Sequence, residues 1–529
     1  MFNVDEAKKL LSSLPQNNPL DALDELAGWL GSVKGTAGFQ PELRAEILML
    51  LDETAQPFHQ ELLQNYLAEA HLQDFNSIRM WQGILILMRA LVDAYALCLD
   101  EYQQIEKNSP AFKEKMPVIC VRLLRAIAEQ IKLELMRYRK IEPSLWQQLY
   151  QYYNFAVTHQ IAETLIFAYA RGTPHTSPQR ELLRAVLLHA ASPATLAPEQ
   201  IEVSYRTGGR LSSYFDFKET PDANCAYVLD LAKPEAPQDV ADKMQITATM
   251  RFFGAVRAIP KLAEIINVNE RNPSDPEQRL DKEFTPHGKL TVLKHLQVYW
   301  GKDHPHRRQE RRDINTTIEV IHGFKMISKL VTSAELDQAP GVSAEEAQKL
   351  KEQSKLNLTE VDKDTDCVPE TWDVLDISVG GLGSRIQGTV SDWVKVGALC
   401  GLKAANSEAW WVGMIRRLKT DDLGKVHVGI EILTKKPLSV WLRSLGKGAE
   451  LISNWETSSG SFKRTYLPAI LVPDAQNSYT TMLMESGGYR ADYIYEAMMG
   501  EKNNNIKLTG LLAEGADYER ISFQWVGAA

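Results

Sequence analysis

The 529-residue chain is poor in the features that announce most enzymes and most membrane proteins. It has five cysteines, Cys98, Cys120, Cys225, Cys367 and Cys400, none in a CxxC spacing. That argues against a disulfide framework or a zinc site and leaves reduced thiols, as in a cytoplasmic protein, with no metal ligand set expected. Apolar runs such as Gly83 to Met88 fall far short of the roughly 18 residues of a membrane span. The start, MFNVDEAKKLLSSLPQ, has early acidic residues and no apolar core, so no secretory signal is read there and the cytoplasm is the expected location. Positive charge is also short: Lys and Arg number 59 against 68 Asp and Glu, a net charge of −9. A protein coating nucleic acid needs a broad basic face, so that class is disfavoured and any phosphate ligand must be served locally. There is no GxSxG, no GxxxxGK[ST], no HExxH, and no GxGxxG between a strand and a helix. Neither an enzyme nor a cofactor is expected.

Glycine is scarce in one place in particular: between Phe39 and Ala170 only Gly83 occurs. Segments such as MWQGILILMRALVDAYALCL and PVICVRLLRAIAEQIKLELM carry apolar residues three and four apart, the spacing of one helix face. Pro57, Pro110, Pro117, Pro143 and Pro178 are read as punctuation between about six helices. Trp146, Leu149 and Tyr153 fit the start of a tetratricopeptide repeat, but no second copy follows at a fixed period, so they are assigned to the core. With no catalytic constellation, this helical module is expected to bind a protein partner or to oligomerise.

Beyond Pro198 the pattern changes. QIEVSYR, LSSYFDF, AYVLDLA and MQITATMRFF are strand-like and separated by Gly and Pro turn signals. Arg206-Thr207-Gly208-Gly209-Arg210 is read as a β-turn between surface arginines. Pro260 to Trp300 returns to helix and linker, with a break at Asn272 to Glu277. Near the C-terminus YLPAILVP, YTTMLME, IKLTGLLA and RISFQWV look like strands. A short helix is expected around Asp492 to Met499 and a turn at Asn503 to Asn505.

The most informative residues lie between these regions. His306-Arg307-Arg308-Gln309-Glu310-Arg311-Arg312 contains RxxxR, and Asp376-Ile377-Ser378-Val379-Gly380-Gly381 reads DxSxxG. Each half alone is common, the first as a solvated basic loop and the second as an Asx-turn or helix cap. Their order, with a β-branched run from Asn315 to Phe324 after the first and Trp372, Val374 and Leu375 before the second, makes the pair specific. Ala409 to Ile415 and Val426 to Ile432 add further strands of a small antiparallel barrel.

Together the motifs resemble the ligand-binding signature of PilZ domains, bacterial receptors for cyclic di-GMP. The ligand presents two guanines and two phosphodiesters. Arginine grips guanine O6 and N7 with a bidentate fork, pairs with phosphate, and stacks on a purine face. A carboxylate such as Asp376 accepts from guanine N1–H and N2–H, Ser378 both donates and accepts, and Gly381 lets the backbone turn beside the ligand. Both Arg307/Arg311 and Arg308/Arg312 satisfy RxxxR. The first register is favoured, because counting from Arg311 puts Ile314, Ile318 and Val320 at apolar strand positions. Arg308 is then an extra arginine beside the ligand and Arg312 a further candidate. His304 and His306 are assigned to the loop. Arg311 and Asp376 are 65 positions apart, beyond the family's usual separation, and the excess is placed in a charged insertion at about 332–370.

The resulting expectation is an α+β multidomain protein. It comprises an N-terminal helical bundle or solenoid (1–195), a mixed β/α element with linker (196–300), a PilZ-like antiparallel six-stranded β-barrel (301–450) and a small β-rich C-terminal domain (455–529). The resemblance implies a non-catalytic, cytoplasmic cyclic di-GMP effector. Ligand held by Arg307, Arg308, Arg311, Asp376, Ser378 and Gly381 would alter domain arrangement and partner binding, and so motility, biofilm, pili or exopolysaccharide. The alternative is an adaptor that keeps the PilZ fold without nucleotide. A transcription or RNA-linked factor using the basic loop is disfavoured by the acidic balance. GGDEF and EAL, the marks of enzymes that make and degrade this messenger, are absent.

Overall fold

The computed structural model describes residues 3–528 except 37, 70–71, 106–109, 170–174, 242, 272–283, 303–304, 306–310, 339–367, 405–406, 408, 446–466, 475–477 and 500–501. The chain divides into two compact units, one over Met1–Arg308 with Lys419–Leu423 and one over Gln309–Leu418 with Gly424–Ala529.

The first unit is built on helices Val4–Leu11, Pro19–Gly35, Pro41–Ala68, Phe75–Ile105, Pro110–Met136 and Pro143–Thr158, followed by Pro178–Ala190 and Pro198–Leu211. Proline at the first helical position starts several of them, where its missing N–H costs nothing. Pro57 and Pro117 instead lie inside helices, which corrects the reading of both as breaks. Burial of the long apolar faces around them outweighs a lost hydrogen bond. Phe75–Gln104 is long and apolar enough, by length and composition, to cross a membrane. Here its Trp81, Ile84, Leu85, Leu87, Met88 and Leu91 lie in the core that also contains Trp146, Leu149 and Tyr153.

Along Pro110–Met136 that core is crossed by charge. Arg122 pairs with Glu53 at 2.6 Å, Arg125 with Glu181 at 2.6 Å, and Lys132 with both Glu129 at 2.6 Å and Glu202 at 2.7 Å. A buried ammonium is tolerated only because two carboxylates replace its water.

Glu202 belongs to a segment that the sequence misrepresents. QIEVSYR is helical, within Pro198–Leu211, and its alternation deceives because Ile201, Glu202, Val203, Ser204 and Tyr205 are all buried. The arginine-flanked Gly208-Gly209 ends the same helix and is not a β-turn. A Cβ on Gly208 would make only ordinary contacts with Leu187 and Trp300, at 3.6 and 3.8 Å, whereas one on Gly209 would fall 2.5 Å from the Arg184 guanidinium carbon, so Gly209 leaves room for that side chain. LSSYFDF splits into a 3-10 turn, Ser212–Tyr214, and a strand, Asp216–Lys218. Of MQITATMRFF only Met250 onward is strand, in Met250–Gly254. With Tyr227–Asp230 and Gln238–Asp239 these strands make a four-stranded sheet.

The second unit holds two closed six-stranded antiparallel barrels. The first comprises β1 Arg312–His322, β2 Glu370–Ile377, β3 Gly381–Ile386, β4 Leu399–Ala404, β5 Trp411–Thr420 and β6 Val426–Thr434, closed in the order β4-β5-β6-β3-β2-β1. The six-stranded barrel expected from the motifs is therefore present. Between β1 and β2 the helix Phe324–Gln338 begins eight residues before the expected insertion at 332, and 339–367 lies outside the described residues. At one end of the barrel His322, Trp393 and Trp372 stack with centroids 4.8 and 5.5 Å apart. The Glu370 carboxylate accepts from both indole N–H groups, at 2.9 Å from Trp372 and 2.7 Å from Trp393.

The second barrel comprises β7 Leu438–Ser444, β8 Leu467–Pro473, β9 Tyr479–Glu485, β10 Ile494–Met499, β11 Lys502–Glu514 and β12 Tyr518–Ala528. It takes its first strand from residues assigned by sequence to the barrel before it. The helix expected at Asp492–Met499 is β10, and Asn503–Asn505 lies inside β11 rather than in a turn. Tyr495, Glu496 and Ala497 are all buried, Glu496 against Arg443 on β7, so this short strand carries no period of two for a sequence pattern to show.

Candidate functional site

The DxSxxG hexapeptide is the turn between β2 and β3. The Ser378 N–H donates to the Gly381 carbonyl at 2.8 Å, and the Ser378 hydroxyl donates to the same oxygen at 3.2 Å. Val379 stands out at the tip, 81% exposed, and the Ile432 N–H reaches the Gly380 carbonyl at 2.9 Å, tying the turn to β6. Gly381 has a structural cause: a Cβ there would lie 2.6 Å from the Ile430 carbonyl oxygen. Serine and glycine thus build the hairpin, and Asp376 is left at the end of its strand to make contacts.

Its partner is Arg311. The Arg311 guanidinium and the Asp376 carboxylate form an ion pair, with side chains 28% and 24% exposed. Register accounts for this selection. Asp313 sits opposite Asp376 while Arg312 sits opposite Ile377, so Arg312 projects to the other face of the sheet from Asp376. Register shifts between Asp313 and Thr316, and between Val374 and Asp376, mark β-bulges that add twist where Asp376 leaves the strand. Arg307 and Arg308 lie outside the described residues.

Two further glycines, which sequence reasoning passed over, complete the site. Asp376 is opposite Gly383 on β3, and Gly383 is opposite Gly429 on β6. A Cβ on Gly383 would stand 2.7 and 2.8 Å from the Asp376 carboxylate oxygens and 2.9 Å from an Arg311 Nη. A Cβ on Gly429 would meet the Cβ of exposed Arg417 at 3.2 Å. Val428 and Ser384, one residue along on each strand, are buried, so the glycines face outward. The result is a strip of backbone without side chains of its own, over which the Arg311–Asp376 pair lies at Gly383 and the Arg417 stem lies at Gly429. The available signal was glycine inside a strand pattern, a mark of close approach by a ligand or another chain.

The same face continues in charge. Arg385 pairs with Asp373 at 2.9 Å, and with Gln387 it holds the Asp373 carboxyl below the usual carboxylate range. Arg416 pairs with Glu431 at 2.5 Å. Gly383 and Gly429 interrupt this ladder. The surface can take a flat group against backbone while presenting guanidinium and carboxylate to its edges.

The described cysteines are not poised for chemistry. Cys98, Cys120, Cys225 and Cys400 are buried free thiols, and burial pushes Cys98 and Cys120 up to about 12, far from a nucleophilic thiolate. Cys367 lies outside the described residues. Among the described residues no group of three or more His, Cys, Asp or Glu could hold a metal ion.

No curated protein matches the chain. One family model does, over residues 5–222, and these are residues of the helical unit, not of the barrel that carries the two motifs. That stretch of the chain matches the family described as cyclic-di-GMP receptor FimW, N-terminal domain.

Proposed function

We infer that the protein is a non-catalytic receptor for cyclic di-GMP, with its ligand site on the outer face of the first barrel. The observation that carries this reading is the meeting of Arg311 with Asp376 over Gly383, beside the hairpin closed by Ser378 and Gly381. A guanine that displaces the Arg311–Asp376 contact over Gly383 would have its edge toward Asp376 and a guanidinium above it, the donor and acceptor set the base requires. Arg307 and Arg308, the other arginines of the RxxxR stretch, enter the proposal from the sequence alone. The barrel fits a PilZ domain in strand number and motif placement. The match of residues 5–222 to a family described as a cyclic-di-GMP receptor adds support from a part of the chain that shares no residue with the motifs.

The receptor reading is of a cytoplasmic effector without cofactor, in which ligand changes domain arrangement and what the helical module offers a protein partner, with motility, pili, biofilm or exopolysaccharide as the output. Ligand can shift such an equilibrium only by its difference in affinity for the two arrangements. Isothermal titration of the full chain with cyclic di-GMP, against cyclic di-AMP and an Arg307→Ala/Arg311→Ala variant, tests the first step. Guanine-selective heat abolished in the variant supports the receptor, and absence of heat from folded protein overturns it.

One observation favours a second reading. Arg311 and Asp376 pair with each other, as they would in an adaptor that uses this barrel face for protein contacts and binds no nucleotide. The same titration separates the two.

A further inference from the structure

The two barrels of the second unit share one strand order. Followed from its own first strand, the first closes as β1-β2-β3-β6-β5-β4 and the second as β7-β8-β9-β12-β11-β10, the same path with six added to every label. In both, the longest connection joins the first two strands, over 323–369 in one and 445–466 in the other. The second barrel therefore repeats the fold of the first, and each position of the ligand face has a counterpart. In the first barrel that face is the outside of β2, β3 and β6, where Asp376, Gly383 and Gly429 lie side by side.

The counterpart face lies on β8, β9 and β12 and has different chemistry. Asp376 is the last residue but one of β2, and the last but one of β8 is Val472. Val472 is opposite Thr481 on β9, and Thr481 is opposite Ser522 on β12. Where the first barrel has a carboxylate and two glycines, the second has an isopropyl group and two hydroxyl side chains, so it offers a guanine neither a charged acceptor nor uncovered backbone. The turn after β8 begins with Asp474, but that carboxylate accepts from the Ser478 N–H at 2.9 Å, and the Asp474 N–H donates to the Ser478 carbonyl at 2.8 Å. Lys435, Lys436 and Pro437 join β6 to β7, so no RxxxR enters the second barrel. Lysine supplies charge without the planar fork.

That face is also covered. Leu471, Met482 and Met484 belong to the inner core of the second barrel, so Ile470, Val472 and Leu483 between and beside them point outward. With Tyr518 at the start of β12 they are buried in one apolar cluster with Ile321, Leu399 and Met414 of the first barrel and Phe324 and Ile327 of the helix Phe324–Gln338. Polar contacts fasten the rim. The Tyr518 hydroxyl donates to the Gly397 carbonyl at 2.9 Å, the Phe324 N–H donates to the Asp517 carboxylate at 2.5 Å, and the Thr332 and Ser439 hydroxyls lie 2.7 Å apart. An apolar contact of this kind opposes relative motion of the two parts it joins.

We propose that the second barrel is a repeat of the ligand-binding barrel whose ligand face has become a docking face for the first barrel and its helix. It takes no nucleotide. The barrel pair then offers a single nucleotide site, on β2, β3 and β6, carried on a fixed mount, and any rearrangement that ligand drives lies outside the pair. The single site rests on the receptor reading of the first barrel, whereas the docking face does not.

The test uses the full chain. Thr332→Cys/Ser439→Cys replaces two hydroxyls in contact, and mild oxidation should close a disulfide between them, identified in a peptide digest by mass spectrometry. The oxidised protein should bind cyclic di-GMP within twofold of the reduced affinity and at the same stoichiometry. A thiol pair that stays open overturns the docking, and a tenfold loss of affinity on closure overturns the fixed mount. Leu483→Asp puts a charge into the contact while leaving the inner core of the second barrel untouched. Scanning calorimetry should then show the barrels unfolding in two steps where wild type shows one for the pair, and an unshifted single step overturns the docking. Added to Arg307→Ala/Arg311→Ala, Leu483→Asp should restore no heat with cyclic di-GMP; restored heat makes the uncovered face a second site and overturns the proposal. Wild-type protein that gives no heat fails as a receptor, while the disulfide and the calorimetry still decide the docking, so the two failures are distinct.

Discussion

Arg311 and Asp376 are brought together across Gly383, whose missing Cβ leaves room for both side chains to lie against the strand. The separation of 65 residues is bridged because Arg311 enters β1 and Asp376 leaves β2, which are antiparallel neighbours. In the receptor reading the two residues hold each other until a guanine replaces that contact with two of its own.

Replacing either partner should therefore separate binding from folding. Arg311→Ala or Asp376→Ala should weaken cyclic di-GMP by about 10- to 100-fold, the worth of one bidentate contact of about 1–3 kcal/mol. An ion pair this exposed contributes under about 1 kcal/mol to stability, so the unfolding midpoint should scarcely move. Arg312→Ala, on the other face of the sheet, should change affinity far less. Calorimetric titration beside thermal unfolding reads both quantities.

Gly383 should behave as a binding residue although it has no side chain. Gly383→Val places a branched group where the Asp376 carboxylate and the Arg311 guanidinium now lie, and binding should fall below detection. Gly429→Ala meets only the Cβ of Arg417, at 3.2 Å, and should give a smaller loss. Circular dichroism must show the barrel intact in both variants; a Gly383→Val protein that is folded and binds normally would remove the bare strip from the site.

The buried charge in the helical unit should be costly to break. Lys132→Met leaves Glu129 and Glu202 facing each other without a cation, apart from the Arg206 contact to Glu202 at 2.6 Å. Losing one partner of a buried pair costs about 3–5 kcal/mol. Urea unfolding monitored by far-ultraviolet circular dichroism should show an earlier transition for the helical unit.

Acid should weaken that unit in two steps. Burial pushes His189 down to about 4, so the folded state resists a proton that the unfolded chain accepts near 6.5. This costs nothing above about pH 6.5, and the unit loses stability as the pH falls from about 6.5 towards 4. Glu181 and Glu202 are opposed by burial, but the cations Arg125 and Arg184 on the one, and Lys132 and Arg206 on the other, hold their carboxyls down to about 2. Their contribution stands above about 4.5 and is lost as the pH falls through about 2. A series of thermal midpoints from pH 7 to 2 should show both slopes, and His189→Gln should shrink the upper one, to which His59 and His295, also held down by burial, contribute.

The errors of sequence reasoning have particular causes. Ile201, Val203 and Tyr205 alternate as a strand would, but Glu202 and Ser204 between them are buried too, Glu202 against Lys132 and Arg206. A polar residue buried by a distant partner looks exposed in a one-dimensional pattern. Asn503–Asn505 was expected to turn, yet it lies in β11 paired to β10, because cross-strand pairing overrides a local preference. Gly383 and Gly429 are plain in the sequence, but nothing local says that they sit side by side.

What the sequence determined by itself was the helical character of the first part of the chain, the order of its helical and β-rich regions, the strands around RxxxR and DxSxxG, and the residue types able to meet a guanine and a phosphate. These follow from periodicity and side-chain chemistry, which are local. The sequence already favoured Arg311 over Arg312, but tertiary structure alone decided that its partner is Asp376, that Ser378 and Gly381 spend themselves on a hairpin, that two glycines align beneath the ion pair, and that β7 belongs to a second barrel. Those choices depend on strand register and closure, which are fixed by packing between residues far apart in the chain.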